Sequence, residues 1–162
     1  MPLVERPLPA LLRSHRGAHL WIAGDGPYEA ELRRLVAELE LERNVTIHGV
    51  PPQARAEMAA RVAACDLVVL MSEFETHPVA ALEAVALGRP VLVAPGSGTG
   101  ELAARGLART AAPADPELLA AAISSELRDP LRPARELMPT WDTCAADLLG
   151  VYRTVLERRC AS

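Results

Sequence analysis

Two carboxylates, Glu75 and Glu83, stand on either side of a predicted helix start. The mainly apolar run 65–72 before them predicts a buried parallel strand, and Pro78 is suited to the first position of the helix that follows. Over 79–87 that helix is apolar on every side except at Glu83, which predicts a buried helix whose carboxylate needs hydrogen-bond donors. Glu75 precedes the helix, where free N–H groups and the helix dipole favour an anion. This layout suits a ligand that carries both phosphates and hydroxyls.

The same residues have plainer interpretations. Glu83 could point to solvent from a half-exposed helix, and Glu73 and Glu75 could be a solvated loop pair. His77 is most simply a loop histidine without a role, since a helix N-terminus disfavours its charged form. The carboxylates have no metal-site spacing and the chain has no D-x-D motif, so no metal is expected. Gly98 lies in a glycine-rich loop after the fourth predicted strand, and we expect its amide to approach the ligand.

Strands and helices alternate along the chain, which predicts an α/β fold with a parallel sheet flanked by helices. Strands are predicted near 18–23, 45–48, 66–71, 90–94 and 107–110. Helices are predicted near 7–15, 27–41, 53–64, 78–87, 100–105, 115–128 and 141–159. The length favours one domain over 1–162 that ends in the last helix, whose apolar side chains form one stripe.

Composition excludes several classes of protein. The net charge of −4 gives no basic surface for nucleic acid. No apolar run approaches the ~20 residues that a transmembrane helix needs, and the first residues lack the apolar region of a signal peptide. The three cysteines are scattered and odd in number, which favours reduced thiols and a cytoplasmic location.

Seven stretches, in order along nearly the whole chain, are similar to those of one enzyme family. They include an apolar strand ending in G-D-G-P, the E-x7-E spacing of Glu75 and Glu83, and a strand that begins G-x-P-V. The stretches are His19–Pro27, Val45–Pro51, Glu75–Glu83, Gly88–Ala94, Asp115–Leu119, Trp141–Asp142 and Val151–Tyr152. The chain resembles the C-terminal, donor-binding half of retaining glycosyltransferases with the GT-B fold, of the family 4 or group 1 type.

The resemblance implies a role for each motif residue. Glu83 would take the ribose hydroxyls of a nucleoside diphosphate sugar, and Glu75, as the catalytic residue, the hydroxyls of the transferred sugar. Gly49 and Val50 would border the nucleobase. Backbone amides around the helix start would face the diphosphate or the sugar. The remaining substrate-binding positions are Gly24, Thr76, His77, Pro78, Val79 and Gly98.

Two departures from the family qualify this assignment. Thr76, His77 and Pro78 stand where the family has small, glycine-containing residues, as in E-G-F-G. The family's first strand, which ends in a Gly-Arg pair before a lysine loop, has no counterpart here, because 1–15 resembles the helix that follows it. The resemblance therefore implies a domain that is incomplete at its N-terminus and lacks its first strand. It also implies a missing acceptor domain or subunit, through which the chain could associate peripherally with a membrane.

Two hypotheses about function, from different classes of protein, follow from these residues and from the resemblance. The first is a glycosyltransferase donor domain that transfers a sugar with retention, without a metal, once it is joined to an acceptor domain. The second is a truncated, non-catalytic fragment that binds a nucleotide or a partner protein. A nucleotide-sugar epimerase-like domain is a further alternative, since it can share this architecture.

Overall fold

The computed structural model describes residues 6–72, 74–112 and 115–160, without the side chains of Ser97 and Cys160. Every predicted strand and helix is present, most of them one to several residues shorter than expected. The strands are β1 Leu20–Ile22, β2 Val45–Ile47, β3 Val68–Leu70, β4 Val91–Val93 and β5 Arg109–Thr110. The helices are α1 Leu8–Ser14, α2 Glu29–Glu38, α3 Arg55–Ala64, α4 Val79–Ala86, α5 Ser97–Ala104, α6 Pro116–Arg128 and α7 Trp141–Cys160. A short 3₁₀ helix, Arg135–Leu137, precedes α7.

All strand pairs are parallel, as predicted, but the strands form two sheets instead of one. One sheet pairs β1 with β2, and the other has the order β3-β4-β5. Among the described residues no backbone hydrogen bond joins β1 to β3, so each has an unpaired inner edge. The break between them falls where the family resemblance places a strand that these 162 residues do not match.

Burial follows the pairing of the strands. In β4, which is paired on both sides, all three side chains are buried, with Val91 and Val93 at 0% exposure. The side chains of β1 and β3, the strands beside the break, are only partly buried. An unpaired edge leaves a strand open to solvent on one side, so the break limits how far the neighbouring side chains are covered.

Helices cover the two faces of the sheets. On one face α1, α2 and α6 pack against side chains from both sheets, including Leu20 of β1, Val69 of β3 and Leu92 of β4. On the other face α4 and α5 pack against Val91 and Val93, the neighbours of Leu92, as the alternation of side chains along a strand requires. The apolar residues packed under α1, α2 and α6 come from both sides of the break, so apolar packing links the two sheets.

Helix α7 is fully exposed along its described side chains. Trp141, its first residue, is 90% exposed, and the predicted apolar stripe also faces solvent. The stripe residues are Leu148, Leu149, Tyr152, Val155 and Leu156. No helix within the described ranges is both long and apolar enough to cross a membrane.

Candidate functional site

The loops that carry the predicted site residues leave the same end of parallel strands. Gly24 follows β1, Gly49 follows β2, Glu75 follows β3 and Gly98 follows β4. Because parallel strands have their carboxyl ends at one edge, the predicted residues share the edge where α/β proteins usually bind ligands.

Helix α4 presents Glu83 differently from the sequence prediction. The inner face is buried through Ala84 and Val85, but Val79 is 52% exposed and the Glu83 side chain 48% exposed. The prediction of a helix buried all round is therefore wrong. One side of α4 packs against β3, β4 and α3, while its exposed side borders an open pocket.

A pocket of about 630 Å³ lies between α3, α4 and the loop that follows β2. Its walls are mostly apolar: Val50, Pro51, Pro52, Ala56, Met58, Ala59, Val62, Ala86 and Leu87. Among the described residues that line it, Arg55 and Glu83 carry the only charges, and Arg55 Nη2 lies 3.3 Å from Glu83 Oε1. The pocket thus joins two predicted site residues, Val50 and Glu83, that are distant in sequence.

Arg55, the first residue of α3, lines the same pocket, and the sequence analysis did not single it out. Its position soon after Val50 was a usable signal, since a cation that opens a helix beside the predicted base-side loop lies close to that loop. Its pairing with Glu83 depends on how α3 packs against α4, and no sequence spacing reports that packing.

The loop before α4 is supported by the first turn of α5, which contains Gly98, so Gly98 does not lie in a loop as the sequence predicted. Its N–H, expected to approach the ligand, donates instead to the Glu75 carbonyl oxygen at 2.9 Å. A Cβ on Gly98 would lie 2.7 Å from that oxygen and 2.8 Å from the carbonyl oxygen of Thr76, closer than atoms can pack. Only glycine permits this approach. The Glu75 side chain is partly buried, whereas Thr76 and His77 are exposed.

Pro78 is buried and forms a turn immediately before α4, so the helix begins at Val79 rather than at Pro78. The φ and ψ angles of Pro78 are −76° and 75°, and the Val79 N–H donates to the His77 carbonyl oxygen at 2.8 Å. This is an inverse γ-turn. It occupies the Val79 amide, which the sequence had assigned to a diphosphate or a sugar, so in this conformation that amide does not face a ligand.

Gly24 and Gly49 lie against each other at the ends of β1 and β2. A Cβ on Gly49 would lie 3.2 Å from Asp25 Oδ1 and 3.4 Å from the carbonyl carbon of Gly24. Gly24 itself has a φ of 147°, which favours glycine. Neither glycine lines the pocket, but Gly49 directly precedes Val50, which does. The two glycines therefore shape the loop that holds Val50.

Metal ligands are not clustered in the described part of the chain, where no three His, Cys, Asp or Glu side chains lie close enough to hold an ion. Glu73, which the sequence pairs with Glu75, lies outside the described residues.

The fold is that of a Rossmann-like α/β domain, with a pocket beside the loop that follows β2. Residues 3–129 match the sequence profile of the family described as glycosyl transferases group 1. The chain belongs to this family. Its fold is that of the C-terminal half of a GT-B glycosyltransferase.

Known relatives are longer than this chain. Glycogen synthase of Mycobacterium tuberculosis is 33% identical over 155 residues, covering 90% of this chain and 37% of that protein. Sucrose-phosphate synthase of Thermosynechococcus elongatus superposes with a TM-score of 0.72 at 26% identity, over 96% of this chain and 43% of that structure. Anabaena HepE, solved in complex with UDP and glucose, superposes with a TM-score of 0.68 at 23% identity. The match covers 100% of this chain and 46% of the HepE chain. The chain thus spans less than half of each of these proteins.

Proposed function

We propose that this chain binds the nucleoside diphosphate sugar donor of a glycosyltransferase, in the pocket between α3 and α4. One observation carries the proposal. Val50 and Glu83, which the family resemblance assigns to the base and the ribose, line a single pocket. Its volume of about 630 Å³ is of the size that small-molecule sites usually have.

The chemistry of the pocket suits each part of a nucleotide. The apolar walls at Val50, Pro51 and Met58 offer the flat surfaces against which a nucleobase packs. The Glu83 carboxylate accepts hydrogen bonds, and the two ribose hydroxyls supply donors. The N-terminus of α4 does not line the pocket, but it precedes Glu83 on the same helix, and its dipole favours the charge of a diphosphate that extends beyond the pocket. The UDP and glucose complex of Anabaena HepE supports a nucleoside diphosphate sugar as the ligand class.

Sugar transfer itself requires an acceptor and a place to hold it. We infer that the acceptor site lies on another domain or subunit, because catalysis depends on orienting both reactants. Glu75 would contact the transferred sugar, and the reaction would proceed with retention and without a metal. The purified 162-residue chain should then give only background transfer when mixed with nucleotide sugars and candidate acceptors, with or without EDTA. Robust turnover by this chain alone would contradict the division of the site.

Replacing Glu83 tests the donor site directly. Glu83→Gln keeps the size of the side chain but removes the charge that strengthens its hydrogen bonds to the ribose. Hydrogen bonds to charged groups contribute about 1.5–3 kcal/mol, so nucleotide affinity should fall roughly tenfold or more. Calorimetric titration with UDP, GDP and ADP measures the change for both proteins.

The matched control is Glu38→Gln. Glu38 is also half-exposed and also pairs with an arginine, Arg34, at 3.0 Å, but it lies on α2 and does not line the pocket. Its replacement should leave nucleotide affinity unchanged. Equal affinities of wild type and Glu83→Gln would remove Glu83 from the site, and a wild-type chain that binds none of the three nucleotides would refute the proposed function.

A further inference from the structure

The Glu83 carboxylate has one partner among the described residues. Arg55 Nη2 lies 3.3 Å from Oε1 of that carboxylate, and Arg55 in turn makes its only described polar contact with Glu83. The pair bridges α3 and α4, the two helices that wall the pocket. Both partners line the pocket, so the pair lies at its wall, where the two helices meet.

The position of this ion pair gives it little role in stability. Arg55 is 82% exposed and Glu83 is half-exposed, and pairs of this kind change the folding equilibrium by at most about fivefold. What the pair does fix is orientation, because it restricts a flexible glutamate on an exposed helix face. With Oε1 held by the guanidinium, Oε2 has no described partner and is left to accept a further hydrogen bond.

We propose that Arg55 is a positioning residue that holds one oxygen of Glu83 so that the other meets the ribose hydroxyls. This inference rests on the proposed function and adds a residue to its site. A glutamate that is already oriented loses less side-chain entropy when the ligand binds, so the ion pair raises affinity through preorganisation. Arg55 then acts on the ligand only through Glu83.

This mechanism predicts that the effect of Arg55 depends on the ribose hydroxyls. Arg55→Gln should weaken binding of a nucleoside diphosphate about three- to fivefold, the range that an exposed ion pair can supply. The same substitution should leave binding of the 2′,3′-dideoxy analogue unchanged, because that ligand has no hydroxyl for Glu83 to accept. Arg55→Lys keeps the charge and should recover part of the lost affinity.

The experiment titrates UDP, GDP and ADP, each beside its 2′,3′-dideoxy analogue, into the full chain and its variants. Arg34→Gln is the matched control, since Arg34 forms a similar exposed pair on α2 and should leave all affinities unchanged. A loss restricted to ligands with ribose hydroxyls supports the proposal.

Two results overturn the positioning role alone: equal binding by wild type and Arg55→Gln, or an equal loss for both kinds of ligand. The second would mean that Arg55 contacts the base or the phosphates directly. If the wild-type chain binds no nucleotide, both this inference and the proposed function fail.

Discussion

Glu126 is the most buried charged side chain among the described residues, with 1% of its surface exposed. One carboxylate oxygen accepts from Arg109 Nη1 at 2.8 Å, and the other accepts from the Leu131 N–H at 2.6 Å. These bonds tie the end of α6 to β5 and to the segment that leads towards α7. A buried carboxylate is tolerated only when its oxygens are hydrogen-bonded, and here both are.

We expect Glu126→Ala to destabilise the fold by about 2–3 kcal/mol, because it leaves the partly buried Leu131 N–H without its acceptor and removes the carboxylate partner of Arg109, which keeps only its bond to the Asp129 carbonyl oxygen and its longer pairing with the Asp129 carboxylate. Urea denaturation followed by circular dichroism measures this change. Glu117→Ala on the same helix is the control. Glu117 pairs with Arg13 at 2.7 Å, but both side chains are exposed, so its loss should cost about 1 kcal/mol or less. Equal costs for the two variants would contradict the structural role of Glu126.

Single residues were predictable where their own sequence neighbourhood determines them. Pro78 marks the start of α4, but the turn that occupies the Val79 amide was not foreseen, because it is one of several conformations open to that loop. Cys65, at the start of the apolar run that predicts a buried strand, is only partly buried, and its Sγ–H donates to the Arg61 carbonyl oxygen. Burial, and then the charge of Asp66, raises the pKa of that thiol. It therefore remains protonated at neutral pH and is a poor nucleophile.

At the scale of elements, two glycines of α5 should differ in how much an alanine in their place changes the stability of the fold. Gly98→Ala places a methyl group against the backbone of Glu75 and Thr76, so it should cost about 1–3 kcal/mol and displace the loop that precedes α4. Gly100→Ala meets no heavy atom within 4 Å, so it should be neutral or stabilise the helix by up to about 1 kcal/mol.

Thermal or urea unfolding of the two variants measures the difference, and nucleotide titration reports whether the loop has moved. If Gly98→Ala were as stable as Gly100→Ala, the close contact between α5 and the loop before α4 would be wrong.

The order of the elements was predictable because periodicity and turn residues report it locally. Gly24, Gly88 and Pro116 each mark an element boundary in the sequence and also in the structure. The sharing of one pocket by Val50 and Glu83 came only from family resemblance, since no local pattern indicates it. The contact of Arg55 with Glu83 was out of reach, because it depends on the packing of two helices.

At the scale of the whole molecule, the break between the sheets has a specific consequence for backbone amides. Leu20 and Ile22 bond towards β2, and Val68 and Leu70 bond towards β4. Because alternate residues of a strand point to opposite edges, the N–H groups of Trp21 and Val69 point into the break. Among the strands that the structure describes, none pairs with these two N–H groups, whereas β4 is paired on both sides.

We therefore expect Trp21 and Val69 to exchange their amide hydrogens at least about tenfold faster than the residues of β4. Hydrogen exchange followed by NMR measures each position, and Leu20 and Ile22 serve as paired controls within β1. The measurement is repeated at several protein concentrations, because unpaired strand edges favour association. Equal protection of Trp21, Val69 and β4 in a dilute monomer would show that the two sheets close on each other.

The pocket straddles this break. Val50 belongs to the loop after β2, on the two-stranded side, whereas Glu83 lies on α4, which packs on the three-stranded side. Within each sheet, directional hydrogen bonds fix the strands relative to one another. Between the two sheets the contacts are apolar and non-directional, so they fix the relative position less strictly. The distance between Val50 and Glu83 is thus set by apolar packing across the break and not by hydrogen bonds between strands. A ligand that spans both sides would act as a brace between the two sheets.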